Sequence, residues 1–146
     1  MKIAIAADHG GYKLKDEIKP YIESLGHTVT DFGTYSEDSV DYPDYAAPCA
    51  RAVVSGEMDR GIVICGTGIG ISIAANKIKG VRCALCTDPV MARLTREHND
   101  TNMMAIGAAV VGEGLALEIV YTWLDTEFSH NERHQRRIDK VMALER

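Results

Sequence analysis

No stretch of this chain approaches the ~20 consecutive apolar residues that a membrane-spanning helix requires. Basic charge is also short: 16 Lys and Arg stand against 21 Asp and Glu, a formal net charge of -5. That is the wrong sign for a duplex nucleic-acid binder, which needs a basic face to displace counterions. The start of the chain, Met1 to Ala7, meets Asp8, His9 and two glycines too soon for a secretory leader. A soluble cytoplasmic protein is the expectation, with its four cysteines as free thiols rather than disulfides. Low-complexity tracts, internal repeats and interdomain linkers are missing too. What is there is 146 residues, 46% hydrophobic and 25% charged, which fits one domain over 1–146 with a core of its own.

Short apolar runs alternate with helical patterns. Strands are expected at 2–7, 27–31, 60–65, 81–86 and 103–106, and four of these are nearly continuous apolar runs of the kind covered on both faces. Helical segments fall at 11–24, 43–55, 70–78, 89–97 and 113–125, with a basic amphipathic segment at 131–145. Pro43 suits a first helical turn, and Gly26 and Gly56 suit helix ends. Such alternation implies an α/β fold: one open, doubly wound, Rossmann-like parallel sheet of five strands, flanked by helices. Cys83 and Cys86 form a C-x-x-C pair, but on a strand their side chains point to opposite faces. A shared metal or redox role is not expected.

In open α/β sheets ligands bind beyond the carboxyl ends of the strands, where strand order reverses. With the common order 2-1-3-4-5, the loops after strands 1 and 3 converge there. The first is Asp8-His9-Gly10-Gly11; the second is Cys65-Gly66-Thr67-Gly68-Ile69-Gly70-Ile71-Ser72. Alternate glycines opening a helix form a nest of N–H groups for an anion, reinforced by the helix dipole. A Walker A loop would need G-K-[ST] where Gly70-Ile71-Ser72 stands, and a dinucleotide fingerprint would need glycine at Ile71. A small cysteine phosphatase would need an arginine between Gly66 and Ser72, and there is none. Asp88 sits where a ribose-binding acid could, so a nucleotide-binding regulatory module stays open. Otherwise the pattern is a thiol, Cys65, beside an anion hole, suited to act as nucleophile or general base.

Two further clusters are notable. His98 and Asn99 end the fourth helix, and histidine is the side chain best suited to proton exchange near neutral pH. Arg133 and Arg137 lie four apart on one helix face, a fork for phosphate or a solvated basic face. Tyr42, before Pro43, is either a turn residue or a cover for a bound sugar. Ile138, Val141 and Met142 give an exposed apolar stripe available for docking.

Taken together, Asp8-His9-Gly10-Gly11, Val40-Asp41-Tyr42-Pro43, Ile64 through Lys77, Arg96 through Asp100 and Arg133-His134-Gln135 resemble the ribose-5-phosphate isomerase B family, which includes the galactose-6-phosphate isomerase subunits. The match follows the same order over nearly the whole chain. The resemblance implies interconversion of ribose 5-phosphate and ribulose 5-phosphate in the pentose phosphate pathway, without metal or organic cofactor. By position, Cys65 would move the proton between C1 and C2, Thr67 with the amides of Gly66, Gly68 and Gly70 would steady the enediolate, and Ser72 would join these glycines in binding substrate. His98 would assist ring opening, and Asp8 and Asn99 would hold sugar hydroxyls. His9, Arg133 and Arg137 would bind phosphate, and Tyr42 would line the pocket. Family members are dimers, sometimes tetramers, with sites shared between subunits.

Two positions depart from parts of the family. One branch uses a glutamate base where Ile69 stands, so this chain resembles the cysteine branch. Many members carry an arginine where Ala109 stands, which leaves six-carbon aldose phosphates open as substrates.

Overall fold

The computed structural model describes residues 1–145. Five parallel strands form one sheet: β1 (Lys2–Ala7), β2 (Thr28–Asp31), β3 (Arg60–Cys65), β4 (Cys83–Leu85) and β5 (Met103–Gly107). Six helices accompany them: α1 (Tyr12–Ser24), α2 (Tyr42–Val54), α3 (Ile69–Asn76), α4 (Pro89–Asn99), α5 (Glu113–Asp125) and α6 (Glu132–Met142). The expected elements are all present, displaced by a few residues at their ends. The terminal helix is shorter than the expected 131–145, and β4 occupies only the middle of 81–86.

Strand order is β2-β1-β3-β5-β4, which corrects the expected 2-1-3-4-5. The reason is the burial each strand offers. β5 is buried at every position, and such a strand needs neighbours on both edges and cover on both faces. β4 has three residues, all half-exposed, so it belongs at the edge rather than beside β3. The expectation that 81–86 is a strand covered on both faces fails for the same reason. Arg82 leaves that run to donate to the carbonyls of Asn99 and Asp100, at 2.9 and 2.7 Å.

Alternation along the strands divides the core into two layers. Ile3, Ile5, Ile62, Ile64, Met104 and Ile106 pack with α1, α4 and α5. Ala4, Ala6, Val63, Met103 and Ala105 pack with α2 and α3. Small alanines on the second face let α2 and α3 approach closely. Cys86 lies in the first layer and Cys83 against the second, so their thiols do face opposite sides of the sheet. Burial pushes the Cys86 thiol up to about 12 and that of Cys83 higher still; both pack as apolar groups. Among the described residues no helix is long and apolar enough to cross a membrane.

Helix ends follow local chemistry. Gly26 and Gly56 take positive φ just beyond α1 and α2, the left-handed conformation that glycine adopts freely. Pro43 stands in the first turn of α2, where a missing N–H costs nothing. The Asp88 carboxylate accepts from the Met91 N–H at 2.8 Å and caps α4. That bond gives a structural use to Asp88, one of the two features, with the glycine loop, on which the nucleotide reading rested.

Candidate active site

β1 and β3 are hydrogen-bonded neighbours, and Asp8 and Cys65 stand at their carboxyl ends. The two loops meet: a Cβ built on Gly10 would lie 3.2 Å from the Gly66 nitrogen. Asp8 is buried, and its Oδ1 accepts from the N–H groups of Gly10 and Gly11 at 2.9 and 3.1 Å. This pins the first loop and leaves Oδ2 for another donor. His9 is exposed, and its Nδ1 accepts from the Val40 N–H at 3.1 Å. The proton of the neutral ring is therefore on Nε2, which faces outward duties as a donor.

Cys65 is 5% exposed, and the Gly68 N–H donates to its Sγ at 3.1 Å. An amide aimed at sulfur serves a charged sulfur better than a neutral one. Gly68 has φ 77, and a Cβ there would collide with Leu85 and the Gly107 amide at 2.5 and 2.9 Å. The loop turns onto the sheet end only because that position is glycine. Thr67 is exposed, and its Oγ1 accepts from the Ile69 N–H at 3.2 Å. The opening amides of any helix have no intrahelical partner, so this turn of α3 presents donors beside the sulfur. A Cβ on Gly70 would fall 2.7 Å from the Tyr42 ring, so a glycine there lets the tyrosine wall the loop. Ser72 turns away from the nest: it is buried and donates to the Ile69 carbonyl at 2.7 Å. Ala109 is exposed, and its N–H donates to the Gly66 carbonyl at 2.8 Å, which places residue 109 on the rim of the nest.

The second cluster is elsewhere. α4 runs from the carboxyl end of β4 back to the amino end of β5, so His98 and Asn99 stand near the level of Met103. Met103 pairs with Gly61, and Gly107 pairs with Cys65. Four residues of strand, about 13 Å at ~3.3 Å each, separate those levels. His98 stacks on His134 of α6, ring centroids 4.3 Å apart. Asn99 and Arg137 line one cavity of about 310 Å³ with Arg82, Thr95 and Val141. Arg133 and Arg137 are exposed on α6. The stripe expected on this helix is only partly exposed: Ile138 is buried at 7%, whereas Val141 is 55% exposed. Ile138 faces the α4 side of α6, where it lines the same cavity.

One chain therefore brings together Asp8, His9, Tyr42, Cys65, Gly66, Thr67, Gly68 and Gly70, and separately His98, Asn99, Arg133 and Arg137. Sequence reasoning did not single out His134, which lies on the inward face of α6 between the exposed Arg133 and Arg137.

An α/β sheet with a thiol-and-amide nest at its switch point defines a class of small-molecule enzyme, and comparison with known proteins sharpens it. Residues 3–141 match the model of the Ribose/Galactose Isomerase family. Ribose-5-phosphate isomerase B of Escherichia coli is 49% identical over 144 residues, covering 99% of this chain and 96% of that protein. A galactose-6-phosphate isomerase subunit of Clostridium acetobutylicum is 40% identical, covering 99% and 83%. The solved structure of ribose-5-phosphate isomerase B from Clostridium thermocellum superposes with a TM-score of 0.96 at 57% identity, covering 99% and 97%. The chain belongs to the Ribose/Galactose Isomerase family and is a sugar-phosphate isomerase.

Proposed function

We propose that this enzyme interconverts ribose 5-phosphate and ribulose 5-phosphate, with Cys65 as the proton-transferring base. The carrying observation is the Gly68 N–H directed at Cys65 Sγ at 3.1 Å, at the one place where the Asp8 and Cys65 loops meet. His98 donates a proton to the ring oxygen while the anomeric hydroxyl gives its own to water, from which His98 is reprotonated, giving the open aldehyde. The Cys65 thiolate then takes the C2 proton, and the electron pair moves through C1 to O1, forming an enediolate. Loop amides and the Thr67 hydroxyl stabilise that charge, each donor contributing about 3–4 kcal/mol. A proton passes from O2 to O1, and the thiol then returns its own proton to C1 as O2 becomes the ketone oxygen, which regenerates the thiolate. Asp8 Oδ2 accepts from one sugar hydroxyl, the Asn99 amide accepts from or donates to another, and Tyr42 covers one face. His9 Nε2, Arg133 and Arg137 hold the phosphate, whose binding energy positions the reacting carbons.

The two clusters stand at opposite ends of one sheet, so we take the working site to be built from two chains in a homodimer. The Cys65 half of one subunit faces the His98 half of its partner. Ile69 and Ile73 are 53% and 56% exposed beside the first half, and Val141 and Leu144 are 55% and 79% exposed beside the second. These apolar groups are the material of such a contact.

Cys65→Ala tests the base directly. Isomerisation of ribose 5-phosphate should fall by at least about a hundredfold, the scale of a lost general base, with the melting temperature unchanged and the sugar phosphate still bound. Turnover near wild type would reject Cys65. Assays on five- and six-carbon aldose phosphates in parallel decide the sugar, with Ala109→Arg as the variant that restores a cation on the nest rim.

A further inference from the structure

His134 has no part in the chemistry set out above, yet it is one of the two residues of α6, with Ile138, that the fold buries. It is the third residue of a helix whose surroundings in sequence are charged, but it is only 8% exposed. Its ring lies against the His98 ring at 4.3 Å between centroids and 41° between planes. Ser129 Oγ is 2.8 Å from its Nδ1. The same hydroxyl accepts from the Asn131 N–H at 3.1 Å, which leaves its proton for Nδ1 and the ring proton on Nε2.

The segment before α6 is fastened to α4 by backbone as well. The Ser129 N–H donates to the Glu97 carbonyl at 3.2 Å, and Arg96 Nε donates to the Thr126 carbonyl at 3.0 Å. His134 is thus wedged between the residue that precedes His98, His98 itself, and Ser129. Burial, then His98, Arg133 and Arg137, push its titration below the usual histidine range, and the Glu97 carbonyl opposes them. That lowering favours the neutral ring in its packing on His98.

We infer that His134 is a positioning residue: through its stack on His98 and its hydrogen bond to Ser129, it holds the ring-opening imidazole in register with Arg133 and Arg137. The inference rests on the ring-opening role given above to His98. Its physical basis is that an exposed imidazole on a last helical turn has free χ rotation, and a fixed ring against its face removes most of that freedom. The arginines one residue before and three after His134 are then set at a fixed distance from the group that must reach the sugar ring while they hold its phosphate.

The test reads ring opening apart from overall activity. Ribose 5-phosphate is almost wholly cyclic in solution and opens spontaneously at a first-order rate. An enzyme that cannot open the ring uses only the open form, so its velocity stops rising with enzyme concentration once spontaneous opening limits supply. Wild-type velocity should stay proportional to enzyme, and His98→Asn should level off. His134→Ala should level off at the same ceiling, with kcat/KM at low enzyme down by roughly ten- to a hundredfold, the scale of a misplaced group. Ser129→Ala, which removes the hydrogen bond and leaves the stack, should lie between the two and serves as the variant if His134→Ala does not fold. A variant whose velocity stays proportional over the range where His98→Asn levels off would overturn the inference, because a merely structural defect scales activity without creating a ceiling. If His98→Asn itself stays proportional, the ring-opening role of His98 is what fails.

Discussion

Arg137 shows how one side chain's position limits what it can do. It lines a cavity with Asn99 at the amino end of the sheet and lies one helical turn beyond Arg133. A guanidinium there grips an anion by charge-assisted hydrogen bonds of about 1.5–3 kcal/mol each. Arg137→Ala should therefore raise KM for ribose 5-phosphate about 10- to 100-fold and leave kcat much closer to wild type. KM for unphosphorylated allose should barely move, and equal effects on both sugars would contradict a phosphate role. At this scale the sequence was informative where chemistry is local. Cys65, Thr67 and the alternating glycines were legible because consecutive residues build the nest. Ser72 marks the limit of that reading: adjacency could not show that its hydroxyl donates to the Ile69 carbonyl at 2.7 Å.

Between elements, the strongest feature is a buried ion pair that fixes the exit of β2. Lys15 of α1 is fully buried and donates to both Asp31 carboxylate oxygens, at 2.7 and 2.8 Å, and to the Thr34 carbonyl at 2.6 Å. Lys19 donates to the same carboxylate at 2.8 Å. Thr34 in turn donates its N–H to Ala7, beside Asp8, so the pair supports the wall of the first loop. Burial alone would raise the Asp31 pKa, but the lysine hydrogen bonds outweigh it and hold the group below its usual 3.8. A depressed carboxylate adds stability that is complete above 3.8 and disappears as pH falls through the folded-state value. Asp31→Asn should cost about 3–5 kcal/mol in urea unfolding, because Lys15 is left charged in the core. It should also flatten the loss of stability below pH 3.8; an unchanged acid limb would contradict the pairing. Lys15 carried a readable signal, since Leu14, Lys15, Ile18 and Ile22 share the buried face of α1. Its partner did not, because only sheet formation brings Asp31 within reach. Strand order failed for a related reason. Composition identified 81–86 as an apolar run, but which strand sits at an edge depends on packing against the rest of the sheet, and Arg82 was the one residue that argued against burial.

The whole molecule is where sequence reasoning had least purchase. The order of elements already sends the end of α4 toward the start of β5, but it says nothing of how a second chain would be placed against it. The consequence is the central one: the levels of Cys65 and of His98 differ by about 13 Å along the strands, and the proposed pairing of these two groups in one site is built on a second chain supplying one of them. Two-fold pairing makes each interface self-complementary, so one dimer would carry two such sites. Complementation measures this directly. Cys65→Ala and His98→Asn proteins, each nearly inactive at low enzyme concentration, are unfolded together and refolded as a mixture. Half of the dimers are then mixed, and each mixed dimer holds one site with both groups intact and one with neither. Activity should return to about a quarter of wild type. Activity no higher than that of the two variants refolded separately would place Cys65 and His98 in a single chain's site and contradict the account.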